Sequence, residues 1–112
     1  MNVTQMTEEI IADLTEELKD DPEFSSTILA NKVKAAIREL KAKRNYIASN
    51  MSVEQIDEDV VNYYSTVLNV ARYDYNQRGA EGELAHTENG VSRSYDNRDN
   101  LWKGVHAFVR LL

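Results

Sequence analysis

The chain has 112 residues, a formal charge of −6, 42% hydrophobic and 29% charged residues. This is enough for one core in one domain (residues 1–112) and ordinary for a globular protein, so wholesale disorder is excluded. With Gly 4, Pro 1 and Cys 0, long helices are favoured over many short strands, disulfides and thiolate metal sites are excluded, and a reducing compartment fits.

The N-terminal MNVTQMTEEIIADL has neither the basic region nor the apolar run of a signal peptide. No apolar stretch reaches the roughly 18 residues of a membrane span, so no membrane partner is expected. Charge is unevenly spread. Residues 1–27 sum to −7 and residues 28–50 to +5, with −3 over 51–78 and −1 over 79–112. Neighbouring segments of opposite sign most simply lie against each other, or against copies of each other.

The first helix is expected over about residues 7–20. Thr7 is the N-cap in this reading, and Glu8 and Glu9 favour the first turn of the dipole. Met6, Ile10, Leu14 and Leu18 recur at helical spacing, with Ile11 beside them, on an otherwise acidic rod. Pro22 then breaks it. The second helix is expected over about residues 22–46, with Asp21–Pro22 as cap and first turn, or with Ser25 or Ser26 as a later start. Leu29, Val33, Ala36, Ile37 and Leu40 form its apolar face, and Lys34, Arg38 and Lys41 line another. Ser52 and Gln55 make a capping box that opens a third helix, over about residues 53–78. Its apolar band is wide: Val53, Ile56, Val60, Tyr63, Val67, Val70 and Ala71, with Tyr64, Leu68 and Tyr75 at the sides. Such a band fits either plain packing or a subunit contact, since Tyr is enriched at interfaces.

Gly79 ends that helix as a C′ glycine would. Glu88-Asn89-Gly90-Val91 is a type I′ turn signature, giving a hairpin over about residues 84–95 in which Leu84 faces Tyr95. Only that pair is apolar; a ribbon this polar is marginal alone and implies a partner. Residues 99–111 resume helical spacing with Leu101, Val105, Phe108 and Val109. The reading is a short C-terminal helix, or else a docking tail anchored by Trp102.

No constellation for catalysis is evident. His86 among Glu81, Glu83 and Glu88 lacks the defined spacing of a metal site, and neither Ser92 nor Ser94 has an oriented histidine. Gly79 and Gly82 lack the lysine and following helix of a phosphate loop. No cofactor, metal or enzymatic activity is expected. The basic second helix (residues 28–46), with the 84–95 hairpin as a wing, suits a DNA-binding regulator, but a −7 first helix would repel phosphate. An intracellular helical adaptor is a third reading.

Tyr73-Asp74-Tyr75-Asn76-Gln77-Arg78-Gly79-Ala80-Glu81-Gly82-Glu83 and His86-Thr87-Glu88-Asn89-Gly90-Val91-Ser92-Arg93-Ser94-Tyr95 resemble the small head–tail connector, or DNA-packaging and head-completion, proteins of tailed bacteriophages and prophages. KAAIRELKAKRNY (residues 34–46), Asn62-Tyr63-Tyr64 and the stretch from Asn97 to Val105 resemble them too, so the likeness spans most of residues 30–110. It implies an all-α protomer: a small bundle of three long helices with a hairpin and a short C-terminal helix or tail. It also implies assembly into a ring of about a dozen copies, closed by heterologous contacts, with a monomer in solution also compatible. Such a ring would sit beneath the portal protein, extend the DNA channel and meet a stopper or tail-completion protein. DNA would be only non-specific cargo during packaging and genome ejection. The location implied is the head–tail interface of the virion, after assembly in the host bacterial cytoplasm. Candidate subunit or portal contacts are Leu84, His86, Glu88, Asn89, Gly90, Val91, Arg93, Tyr95, Trp102 and Phe108, with Gly79, Gly82, Asn89 and Gly90 as structural turns. Glu9 and Glu16 against Lys34, Arg38 and Lys41 are the candidate charge-complementary pairs.

Overall fold

The computed structural model describes residues 1–78 and 98–110. Among the described residues four helices carry the fold: α1 (Val3–Leu18), α2 (Ser26–Arg44), α3 (Val53–Val61) and α4 (Tyr64–Asn76), with a 3-10 turn at Tyr46–Ala48. The class is all-α, as expected. α2 packs chiefly on α4, and α1 lies against α2, α3 and α4. The expected 84–95 hairpin, with Gly79 and Gly82, lies outside the described residues.

Helix α1 starts four residues earlier than the Thr7 reading. Asn2 is the N-cap: its Oδ1 accepts from the Gln5 N–H (2.8 Å) while Gln5 Oε1 accepts from the Asn2 N–H (2.9 Å). This reciprocal box satisfies two otherwise orphaned donors. Thr7 sits inside the helix, where its hydroxyl donates to the Val3 carbonyl at 2.7 Å. The Val3 N–H also reaches the Asp57 carboxylate (3.2 and 3.3 Å), tying the start of α1 to α3.

Helix α2 takes the later of its two candidate starts. Ser25 caps it, accepting from the Ile28 N–H, and Asp21 instead closes a turn in the linker by accepting from the Glu23 N–H at 2.9 Å. The Ser25 N–H in turn donates to the hydroxyl of buried Tyr75 at 2.9 Å, so α4 fixes where α2 begins. The helix ends at Asn45, whose φ of 55° is left-handed, a conformation asparagine tolerates better than most residues.

The expected third helix is two. The Ser52–Gln55 capping box is present, but the rod breaks after Val61. There the Asn62 N–H divides between the Glu58 and Asp59 carbonyls (both 3.2 Å) and the Tyr63 N–H shifts to Val60 (3.0 Å). Val60, Val61, Asn62, Tyr63 and Tyr64 are all mediocre helix formers in succession, which makes this the place where a turn is least costly. Val53, expected in the core, is 80% exposed.

The C-terminal helix is corrected as well. Only residues 98–101 form a helical turn, and residues 105–110 carry no regular structure. The Phe108 N–H donates to the Arg44 carbonyl at 2.8 Å, one of the last-turn carbonyls that α2 leaves without an internal partner. That bond gives the Phe108 N–H a partner on α2 in place of a carbonyl four residues back, and it outweighs the helical periodicity of this stretch. The core joins Met6, Ile10 and Leu14 of α1 and Leu29, Val33, Ala36, Ile37 and Leu40 of α2. Val60 of α3, then Val67, Val70, Ala71 and Tyr75 of α4, and Trp102 complete it.

Candidate interaction surface

Arginines, not lysines, hold the helices together. Arg44 forks onto Asp59 of α3 (Nε to Oδ2 2.8 Å, Nη2 to Oδ1 3.0 Å), and the Tyr46 hydroxyl donates to the same carboxylate at 2.6 Å. Its Nη1 donates to the His106 carbonyl at 2.6 Å, and its guanidinium lies 4.2 Å from the centroid of Phe108. Burial alone would raise the Asp59 carboxyl, but the hydrogen bonds from Arg44 and Tyr46 outweigh it and hold the group below its ordinary value. Burial, then the charged neighbour Asp59, push the Tyr46 phenol well up.

Arg98, where the described chain resumes, bridges α2 and α4. It binds Asp74 through Nε (2.8 Å) and Nη2 (2.9 Å), and Glu39 through Nη2 (2.7 Å) and Nη1 (3.2 Å). Those bonds to Asp74, then to Glu39, raise its pKa further. Arg72 pairs with Glu17 of α1 at 2.8 Å, and Arg78 reaches Asp21 at 3.2 Å while stacking on Tyr75, 3.8 Å from the ring centroid. The planar guanidinium suits these bidentate and stacked geometries, which a lysine ammonium cannot reproduce.

The candidate charge pairs separate accordingly. Glu9 of α1 accepts from the Tyr64 hydroxyl at 3.3 Å, beside Asp13 at 2.8 Å, and Glu16 pairs with Lys19 at 3.0 Å. Burial, then the Asp13 hydrogen bond, push the Tyr64 phenol up. Lys34, Arg38 and Lys41 are exposed and make no ion pair among the described residues. Within one copy, the Glu9, Asp13 and Glu17 flank of α1 is engaged by α4, and the basic face of α2 takes no part in that contact.

Trp102, expected at an interface, is buried in its own bundle under Lys43, whose Nζ lies 5.3 Å from the ring centroid. Phe108 is half-buried, with its ring centroid 5.9 Å from that of Tyr46. Leu84, His86, Glu88, Asn89, Gly90, Val91, Arg93 and Tyr95 lie outside the described residues.

Two surface features escaped the sequence reading. Ile47 and Val109, 85% and 74% exposed, flank an open groove completed by Asn45, Ala48, Ala107, Phe108 and Arg110. Beside the basic face of α2, Ile28, Asn31, Lys32, Ala35, Arg38 and Arg78 line a shallow hollow. Arg78 stands 40 residues beyond Arg38, so nothing local in sequence joins them. Among the described residues no cluster of three or more His, Cys, Asp or Glu side chains could hold a metal ion, and no helix is long and apolar enough to cross a membrane. Comparison with protein-family models, curated proteins and solved structures finds no match to this chain.

Proposed function

We propose that this chain is a non-catalytic structural protomer of the head–tail connector type, which self-associates into a ring beneath a phage portal, extends the DNA channel and joins head to tail. The observation that carries this reading is the basic face of α2: Lys34, Arg38 and Lys41 stand exposed and without an ion pair among the described residues, while α1 carries five acids and no base. Among the described residues Glu8 of α1 and Lys34, Arg38 and Lys41 of α2 stand without an ion pair, and open charge of opposite sign on two outer faces favours compensation by another copy. The resemblance of residues 30–110 to phage connectors supports the same reading, and with it the proposal of a location at the head–tail interface of a virion with the portal and a stopper or tail-completion protein as partners. The exposed Ile47–Val109 groove adds an apolar surface of the kind that partners cover.

The second reading, a DNA-binding regulator, draws on the same basic face. Its three cations would contact phosphates, and the weakness of that reading is the acidity of α1 on the same small molecule. Negative-stain imaging of the purified protein, alone and mixed with the portal protein, tests the proposal. Closed rings in either sample are the expected result; dispersed particles in both, with retardation of a DNA duplex at moderate salt, would leave the regulator standing instead.

A further inference from the structure

α1 and α2 carry the most strongly opposed charges in the chain, five acids with no base against six bases with one acid, yet they form no ion pair with each other among the described residues. The reason is rotational. On α1, Met6, Ile10 and Leu14 face the core; Glu9, Asp13 and Glu17 lie on one flank and are engaged by Tyr64 and Arg72 of α4. Opposite the core, Glu8, Ala12 and Glu16 follow at four-residue steps, all exposed. On α2, Leu29, Val33, Ala36 and Leu40 face the core, and Lys34, Arg38 and Lys41 lie on the outer side. Both stripes point away from the core the two helices share, so they cannot meet within one copy.

Their spacings match. At about 1.5 Å of rise per residue, Glu8 and Glu16 stand about 12 Å apart along α1, and Lys34 and Lys41 about 10 Å apart along α2. Each stripe is also interleaved with small or apolar groups: Ala12 between the acids, and Ala35, Ala42 and Ile28 (39% exposed) beside the cations. Small side chains let two helices approach closely enough for charge pairs to be shielded from solvent. That matters, because fully exposed pairs contribute little.

We infer that the basic outer face of α2 in one copy docks on the acidic outer face of α1 in the next. The contact is head-to-tail, using two different patches, so a growing chain of copies keeps a free acidic face at one end and a free basic face at the other until a ring closes. This rests on the self-association proposed above and names the surfaces that make it.

The test uses two full-length variants, one with Lys34→Glu, Arg38→Glu and Lys41→Glu, the other with Glu8→Lys and Glu16→Lys. All five positions are exposed, and circular dichroism checks that helicity is retained. Sedimentation velocity at low salt then compares wild type, each variant and their equimolar mixture. The expected result is that each variant alone self-associates at least about tenfold more weakly, because like charges now face each other, and that the mixture restores association on both faces. Variants that assemble as well as wild type would overturn this contact while leaving self-association intact. Loss in each variant without restoration in the mixture would also overturn it, since the faces would then not be each other's partners. Wild type that stays monomeric throughout, with a mixture that does the same, would overturn this contact as the one that drives self-association, and rings formed only with the portal protein would then leave the assembly reading standing without it.

Discussion

Arg44 joins more of this molecule than any other side chain described. It forks onto Asp59, donates to the His106 carbonyl, lies over Phe108 and offers its own carbonyl to the Phe108 N–H. The pair is largely shielded, with 13% and 14% of the two side chains exposed, so truncation would strand the Asp59 carboxylate. Arg44→Ala is expected to cost about 3 kcal/mol in urea unfolding, and Arg44→Lys to recover less than half of that, since lysine cannot fork. An Arg44→Ala protein as stable as wild type would show the clamp to be ornamental. The same group sets a pH dependence. The folded-state pKa of Asp59 is depressed, so its contribution is present above the unfolded value near ~3.9 and is lost as pH falls through the folded one. Acid unfolding followed from about pH 5 to pH 2 should therefore show a loss of stability that Asp59→Asn no longer shows at the acid end. Tyr75 presents a simpler case: Tyr75→Phe leaves the Ser25 N–H without its acceptor and is expected to cost about 1–2 kcal/mol, read as a lower urea midpoint at unchanged slope.

The helices were legible where their signals are local. The apolar stripes on α1 and α2, the Ser52 cap and the later Ser25 start are all visible at spacings of three and four residues. Ser52→Ala is expected to lower stability by about 1 kcal/mol through the loss of that cap; a shift in midpoint well below that would mean α3 is held by packing alone. The break between α3 and α4 was hidden because no Gly or Pro marks Asn62–Tyr63, and periodicity runs on across it. The cap at Asn2 was missed because Thr7, followed by two acids, offered a stronger-looking start. The irregular run of residues 105–110 was unreadable for another reason: its partner is the far end of α2, joined across more than 60 residues by Arg44 and His106. The arginine clamps share that feature, with Arg98 reaching Asp74 and Glu39 over separations of 24 and 59 residues. The basic face of α2 was readable, because exposure follows from helical phase; its lack of an ion pair among the described residues was not, because α4 had first to take Glu9, Asp13 and Glu17 of α1.

The clamps and the free charges divide the molecule's work. Arg44, Arg72, Arg78 and Arg98 fix α1, α2, α3, α4 and the 98–110 segment into one frame, and Lys34, Arg38 and Lys41 are left on its outside. A frame of this kind suits a protomer that docks without refolding. Association through such faces should weaken with salt, since added ions screen charge beyond about 10 Å at 0.1 M. The most direct measurement is the molar mass by light scattering over a protein concentration series, taken at low and at high salt. Connector-type assembly predicts a mass that climbs above the monomer as concentration rises, reaches a plateau set by a closed ring, and falls back as salt is raised. A mass fixed at the monomer across the whole series, in a preparation that also retards a DNA duplex at moderate salt, would contradict it.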